Sequence, residues 1–187
     1  MSKQHFYTGL LNQAKYLLSG LLLSAAIVPH ASAHLMVAQK GTLNFVNDGA
    51  FLVLSIPVSA FENIDDNGDK KLSKIEFTKH RPAIVAAVKE KVTLEDKTGL
   101  LTLEGMMLSP VASHQSPLLP SEQLIIMGRF QLKDLDSKLH FQLGLYGTKP
   151  EEQSLGFTAT WKSKSQKHKT EFTQKIPKIA LFPSKTE

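Results

Sequence analysis

Residues 36–58 read MVAQKGTLNFVNDGAFLVLSIPV, and their rhythm decides the fold class. Apolar side chains recur at every second position on both sides of Asn47-Asp48-Gly49. A period of two places alternate residues on opposite faces of a strand, and Asn-Asp-Gly is turn chemistry that accepts a left-handed backbone. The stretch predicts two strands, 36–46 and 51–58, joined as a hairpin. The same reading outward gives strands at 92–95, 100–108, 123–132, 139–146, 157–163 and 168–176, separated by turn residues such as those at 147–150. Residues 109–121 carry three prolines and read as a loop or extended crossover. Seven to eight short strands at this spacing predict a mainly β fold, an antiparallel β-sandwich.

One stretch breaks the rhythm. Residues 72–91 (LSKIEFTKHRPAIVAAVKEK) have helical spacing, with Ile84, Val85 and Val88 as a core-facing stripe. Pro82 lacks an N–H and clashes with the preceding turn, so two short helices or one kinked helix are expected.

Composition bounds the chemistry. The chain has 187 residues, 42% hydrophobic and 21% charged, which is ordinary for a globular protein and argues against wholesale disorder. It has no cysteine, which excludes disulfides, thiolate metal sites and cysteine nucleophiles. The formal charge is +5, but the first 33 residues have the pattern of a cleaved signal peptide. Lys3 and Lys15 form a positive leader, residues 16–28 (YLLSGLLLSAAIV) an apolar run, and Ala31-Ser32-Ala33 a small-residue cleavage site. The run is shorter than the roughly 20 residues a bilayer span needs. Cleavage after Ala33 leaves residues 34–187 as a single periplasmic or secreted domain, with 20 basic residues against 17 acidic ones and no further membrane-length run. The excess sits at the carboxyl end, where residues 160–187 carry seven lysines. They alternate within strands, the pattern of a solvated sheet edge rather than of a nucleic-acid surface, so no nucleic-acid partner is expected.

The motif that carries chemistry stands just before the helix. Asp65-Asp66-Asn67-Gly68-Asp69-Lys70-Lys71-Leu72-Ser73-Lys74-Ile75-Glu76 matches the twelve-residue EF-hand calcium loop. Asp65, Asn67 and Asp69 supply oxygens at loop positions one, three and five. Lys71 offers its carbonyl at seven, Ser73 acts at nine, and Glu76 closes the site at twelve. Leu72 is the apolar anchor. Ca²⁺ is hard and takes six to eight oxygens, which this set suits. The bland alternative is a polar Asx/Gly turn capping a helix. Lys70 occupies the position that is normally glycine, where a left-handed backbone costs roughly 1–2 kcal/mol, equivalent to about tenfold in affinity. No entering helix and no second loop of this type occur, which favours a calcium clip on a β scaffold over a sensor.

Taken together, the two strands, this loop, a basic helix containing His80-Arg81-Pro82-Ala83-Ile84 and further strands resemble the soluble extracytoplasmic head of HupE/UreJ-type accessory membrane proteins, over about residues 34–101. The resemblance implies an exported accessory domain. Members of that family continue into membrane helices linked to nickel or cobalt handling, and only the calcium-loop residues carry over to this sequence.

Other constellations are thinner. After cleavage, His34 would be an amino-terminal residue whose amine and imidazole can chelate copper, with His114 or His140 as further imidazoles. A periplasmic copper carrier is therefore the alternative function. Ser109, Ser113 and Ser116 lie near His114 without a nucleophile-elbow pattern, and Glu151-Glu152 reads as a solvated pair, so no enzymatic activity is expected. The expected function is a non-enzymatic calcium-binding accessory module with an unidentified periplasmic protein partner.

Overall fold

The computed structural model describes residues 38–111, 119–134 and 138–182. The expected signal peptide at residues 1–33, His34 and His114 lie outside the described residues. The fold is mainly β, with ten strands in two sheets among the described residues. In chain order the strands are β1 (Lys40–Val46), β2 (Gly49–Pro57), β3 (Val92–Asp96), β4 (Gly99–Leu101), β5 (Leu103–Pro110), β6 (Gln123–Gln131), β7 (Leu139–Leu143), β8 (Ser154–Trp161), β9 (Gln166–Thr173) and β10 (Lys178–Leu181). A six-stranded sheet runs β5-β6-β2-β1-β8-β9, and a four-stranded sheet runs β10-β7-β3-β4.

The hairpin forms where expected. β1 and β2 pair antiparallel from Lys40↔Ser55 to Val46↔Gly49, and Asn47 takes φ +54 at the tight turn. Leu43 and Phe45 on β1, with Leu52, Leu54 and Ile56 on β2, are buried on the inner face. Phe141 on β7 joins the two sheets: its ring stacks on Phe157 of β8 at 4.7 Å and meets Phe130 of β6 and Phe172 of β9 edge-on. Aromatic pairs in these arrangements add to the area they bury.

The expectation of a wholly antiparallel sandwich needs one correction. β1 runs parallel to β8, from Lys40↔Gly156 to Phe45↔Trp161, so early and late parts of the chain are neighbours in the larger sheet. The expected strand 100–108 is two strands. β4 belongs to the small sheet and β5 to the large one, and the chain changes sheets at Thr102. β10 was not expected. The strand predicted at 157–163 begins earlier and stops at Trp161, where residues Lys162–Lys164 form a 3-10 turn closed by Ser165 at φ +50. β9 forms an edge of the large sheet with Lys167 and Lys169 exposed, as the lysine alternation implied.

Among the described residues the α-helical ones form one element, α1 (Lys74–Lys91), which runs through Pro82 and has Ile84 and Val88 buried one turn apart. Of the two expected arrangements the single helix is adopted, with Pro82 on its exposed side. Among the described residues, no helix is long and apolar enough to cross a membrane.

Candidate metal loop

β2 ends at Pro57 and a 3-10 turn, Val58–Ala60, leads the chain towards the loop, so a strand and not a helix enters it. Ile64 before the loop and Leu72 within it are both buried, which pins its two arms to the core. Between these anchors, residues 65–71 are wound by the loop's own side chains. Asp65 accepts the Gly68 N–H on Oδ1 at 2.8 Å and the Lys70 N–H on Oδ2 at 2.7 Å. Asn67 Oδ1 accepts the Asp69 N–H at 3.0 Å, and Asp69 Oδ1 accepts the Lys71 N–H at 2.8 Å. Gly68 has φ +75 and Lys70 φ +62, the two left-handed positions that turn the loop.

Lys70 therefore carries its strained backbone in the folded chain itself.

The loop closes onto α1 through a reciprocal cap. Ser73 Oγ accepts the Glu76 N–H at 3.2 Å, and Glu76 Oε2 accepts the Ser73 N–H at 2.8 Å. Glu76 Oε1 also accepts the Asp66 N–H at 2.9 Å, so one buried carboxylate ties loop position two to position nine. Hydrogen bonding from Ser73, through its side chain and then its backbone, holds the Glu76 carboxyl below its ordinary value against the cost of burial. Asp66 points away to the helix. Its carboxylate meets Lys79 Nζ at 2.8 Å and His80 Nε2 at 2.9 Å, and these contacts, Lys79 first, lower its pKa.

A brace the sequence did not reveal comes from residues 121–122. Leu72 and Ser121 exchange both backbone hydrogen bonds, at 2.8 and 2.9 Å, and Lys71 Nζ pairs with Glu122 at 3.0 Å. The Glu122 carbonyl accepts the Val58 N–H at 2.9 Å, so the strap grips both the loop and the segment that enters it. No local pattern signals this contact, because the strap follows the proline-rich stretch far along the chain.

The six expected donors thus lie on one loop. Asp65, Asp69 and Glu76 are not drawn into a common cage, and among the described residues no three Asp, Glu or His side chains are grouped to hold a metal. The remaining donors are an amide (Asn67), a carbonyl (Lys71) and a hydroxyl (Ser73). Each carboxylate that accepts an N–H keeps further lone pairs for a cation.

The other expected candidates are dispersed. His140 lies on β7, opposite Glu95 of β3. Ser109 is on β5, and Ser113 and Ser116 lie outside the described residues. Glu152, expected as a solvated partner of Glu151, is instead largely shielded and accepts a 2.6 Å hydrogen bond from Ser59, which ties residues 147–152 to the end of β2. The chain matches no protein-family model, and no curated protein matches its sequence.

Proposed function

We propose that residues 65–76 are a calcium clip in a non-enzymatic accessory or binding module. The pattern of residues 1–33 adds that the module is exported, working with a periplasmic protein partner. The observation that carries the reading is the conformation of the loop. Its two left-handed turns fall at Gly68 and Lys70, Leu72 anchors it, and its sequence spaces the donors in the order an oxygen-rich ion takes.

A lone loop lacks the bracing of a second hand, and the Leu72–Ser121 bridge supplies bracing here. For Glu76 to bind the ion with both oxygens, each oxygen must exchange part of its hydrogen bonding to Asp66 or Ser73 for the ion. That exchange lowers the net gain and suits a site working at extracellular calcium levels of about 10⁻⁴–10⁻³ M. Bound calcium would stabilise the folded state by mass action, as a structural clip does.

Calorimetric titration with calcium tests the reading. One site with millimolar or tighter affinity is expected, weakened at least tenfold in Asp65→Asn with Asp69→Asn, two changes that keep side-chain acceptors for the loop N–H groups. Absence of heat and of a thermal shift at about millimolar calcium, or equal binding by the double variant, refutes it.

A further inference from the structure

Asn67-Gly68 is the one Asn-Gly pair in the chain, and it stands at loop positions three and four. Asparagine is chemically labile, because the backbone nitrogen of the next residue can close a five-membered ring onto its Cγ. A side chain on that next residue crowds the approach, and glycine has none. The fold leaves the approach open here. Asn67 and Gly68 are both exposed, and a Cβ built on Gly68 would meet no atom within 4 Å.

Hydrogen bonding around the pair points the same way. The Gly68 N–H donates to Asp65 Oδ1 at 2.8 Å, so a carboxylate draws on the proton that this nitrogen must release. The Asn67 side chain is held by exposed contacts to one residue: Oδ1 accepts the Asp69 N–H at 3.0 Å, and Nδ2 donates to Asp69 Oδ2 at 3.2 Å. Exposed hydrogen bonds compete with water and are worth little net, so they do not lock the side chain. The other described asparagines are placed differently. Asn44, Asn47 and Asn63 precede Phe45, Asp48 and Ile64, residues with side chains, and Phe45 and Ile64 are buried.

We propose that Asn67 is a site of spontaneous deamidation and that calcium in the loop protects it. The protection rests on residues 65–76 being a calcium clip; the chemistry at Asn67 does not. The reaction balances with water as its only co-reactant. The Gly68 nitrogen loses its proton and bonds to Asn67 Cγ, the Cγ–Nδ2 bond breaks, and the amide nitrogen leaves with a proton as ammonia. Water then opens the succinimide at either carbonyl, giving aspartate or isoaspartate at position 67. Ring closure swings Cγ towards the Gly68 nitrogen and takes Oδ1 off donor position three, so an ion held there must leave first. The rate therefore follows the ion-free fraction, which mass action sets. Isoaspartate places an extra methylene in the backbone between positions three and four. That breaks the spacing that brings Asp69 and Glu76 to the ion, whereas aspartate only adds charge.

The full chain is aged at mildly alkaline pH with calcium chelated, and in parallel at about ten times the dissociation constant that calorimetry gives for fresh protein. Peptide mapping by mass spectrometry follows each asparagine, and an isoaspartyl methyltransferase labels the isoaspartate product. Expected are conversion of Asn67 ahead of Asn44, Asn47 and Asn63 under chelation, and a rate about tenfold lower with calcium. The isolated isoaspartate fraction should bind calcium at least about tenfold more weakly than fresh protein. The proposal is overturned if Asn67 converts no faster than the other asparagines, if calcium binds and leaves its rate unchanged, or if the isoaspartate fraction binds like fresh protein. Absence of heat from fresh protein is a separate result: it refutes the clip and with it the protection, while conversion under chelation still decides the site.

Discussion

Replacing Lys70 by glycine separates two places where its strain could act. Lys70 has φ +62 in the folded chain, and its N–H is fixed by Asp65 Oδ2 at 2.7 Å, so the backbone is not free to relax. A left-handed non-glycine residue costs roughly 1–2 kcal/mol. Glycine removes that cost but loses roughly 0.5–1 kcal/mol through its greater freedom in the unfolded chain. The net prediction is that Lys70→Gly stabilises the protein by about 0.5–1 kcal/mol, a rise in Tm of about 1–4 °C for a domain of this size. Because the turn is held by the loop's own hydrogen bonds, calcium affinity should change by less than about twofold, far short of the tenfold that full strain relief on binding would give. Urea unfolding with and without calcium measures both quantities, with the same gain expected in each condition. A gain confined to the calcium-loaded protein would refute the reasoning, since it would mean that the left-handed turn at Lys70 forms only around the ion. No gain in either condition would refute it too.

Other perturbations probe the core, the helix and the loop closure. Phe141→Ala should cost about 3–5 kcal/mol, because the ring fills the space between Phe130, Phe157 and Phe172; a chemical-denaturation loss below about 1 kcal/mol would deny it that role. Pro82→Ala should stabilise by up to about 3 kcal/mol by restoring an N–H inside α1 on an exposed face, and a fall in Tm would contradict the helix as drawn. Glu76 and Asp66 have carboxyl pKa values lowered in the folded state, Glu76 by Ser73 and Asp66 by Lys79 and then His80. Their contribution is fully present above the ordinary values of 4.5 and 3.8 and is lost as pH falls through the lowered ones. Urea midpoints should therefore drop with acid below about pH 4.5, less steeply in Glu76→Gln, and an unchanged slope in that variant would remove Glu76 from the effect.

What the sequence exposes and what it conceals differ by the range of the interaction. The hairpin of β1 and β2 is legible because alternation and the Asn47 turn are local. The break at Thr102 is not, since Leu101 and Leu103 keep the alternation across it while the chain leaves one sheet for the other. β10 is four residues behind Pro177, too short to raise a periodic signal, and its pairing with β7 is what makes it a strand. The parallel contact of β1 with β8 has no local trace at all. The same division runs through the candidate site. Donor spacing in 65–76 is a local property and was readable; the brace at Ser121 and Glu122 is non-local and was not.

That brace bears on why a solitary loop could work on a β scaffold. A loop attached only by its ends would lose conformational entropy on closing around an ion. Here Leu72 is fixed by two backbone hydrogen bonds to the strap, Glu76 caps the helix, and Ile64 is buried, so much of that entropy is given up on folding. Cutting the strap's side-chain link with Glu122→Ala, which leaves all six donors in place, would then weaken calcium binding slightly, by about two- to threefold for one exposed ion pair. A loss as large as that of removing a donor would show that Glu122 belongs to the site and does not merely support it.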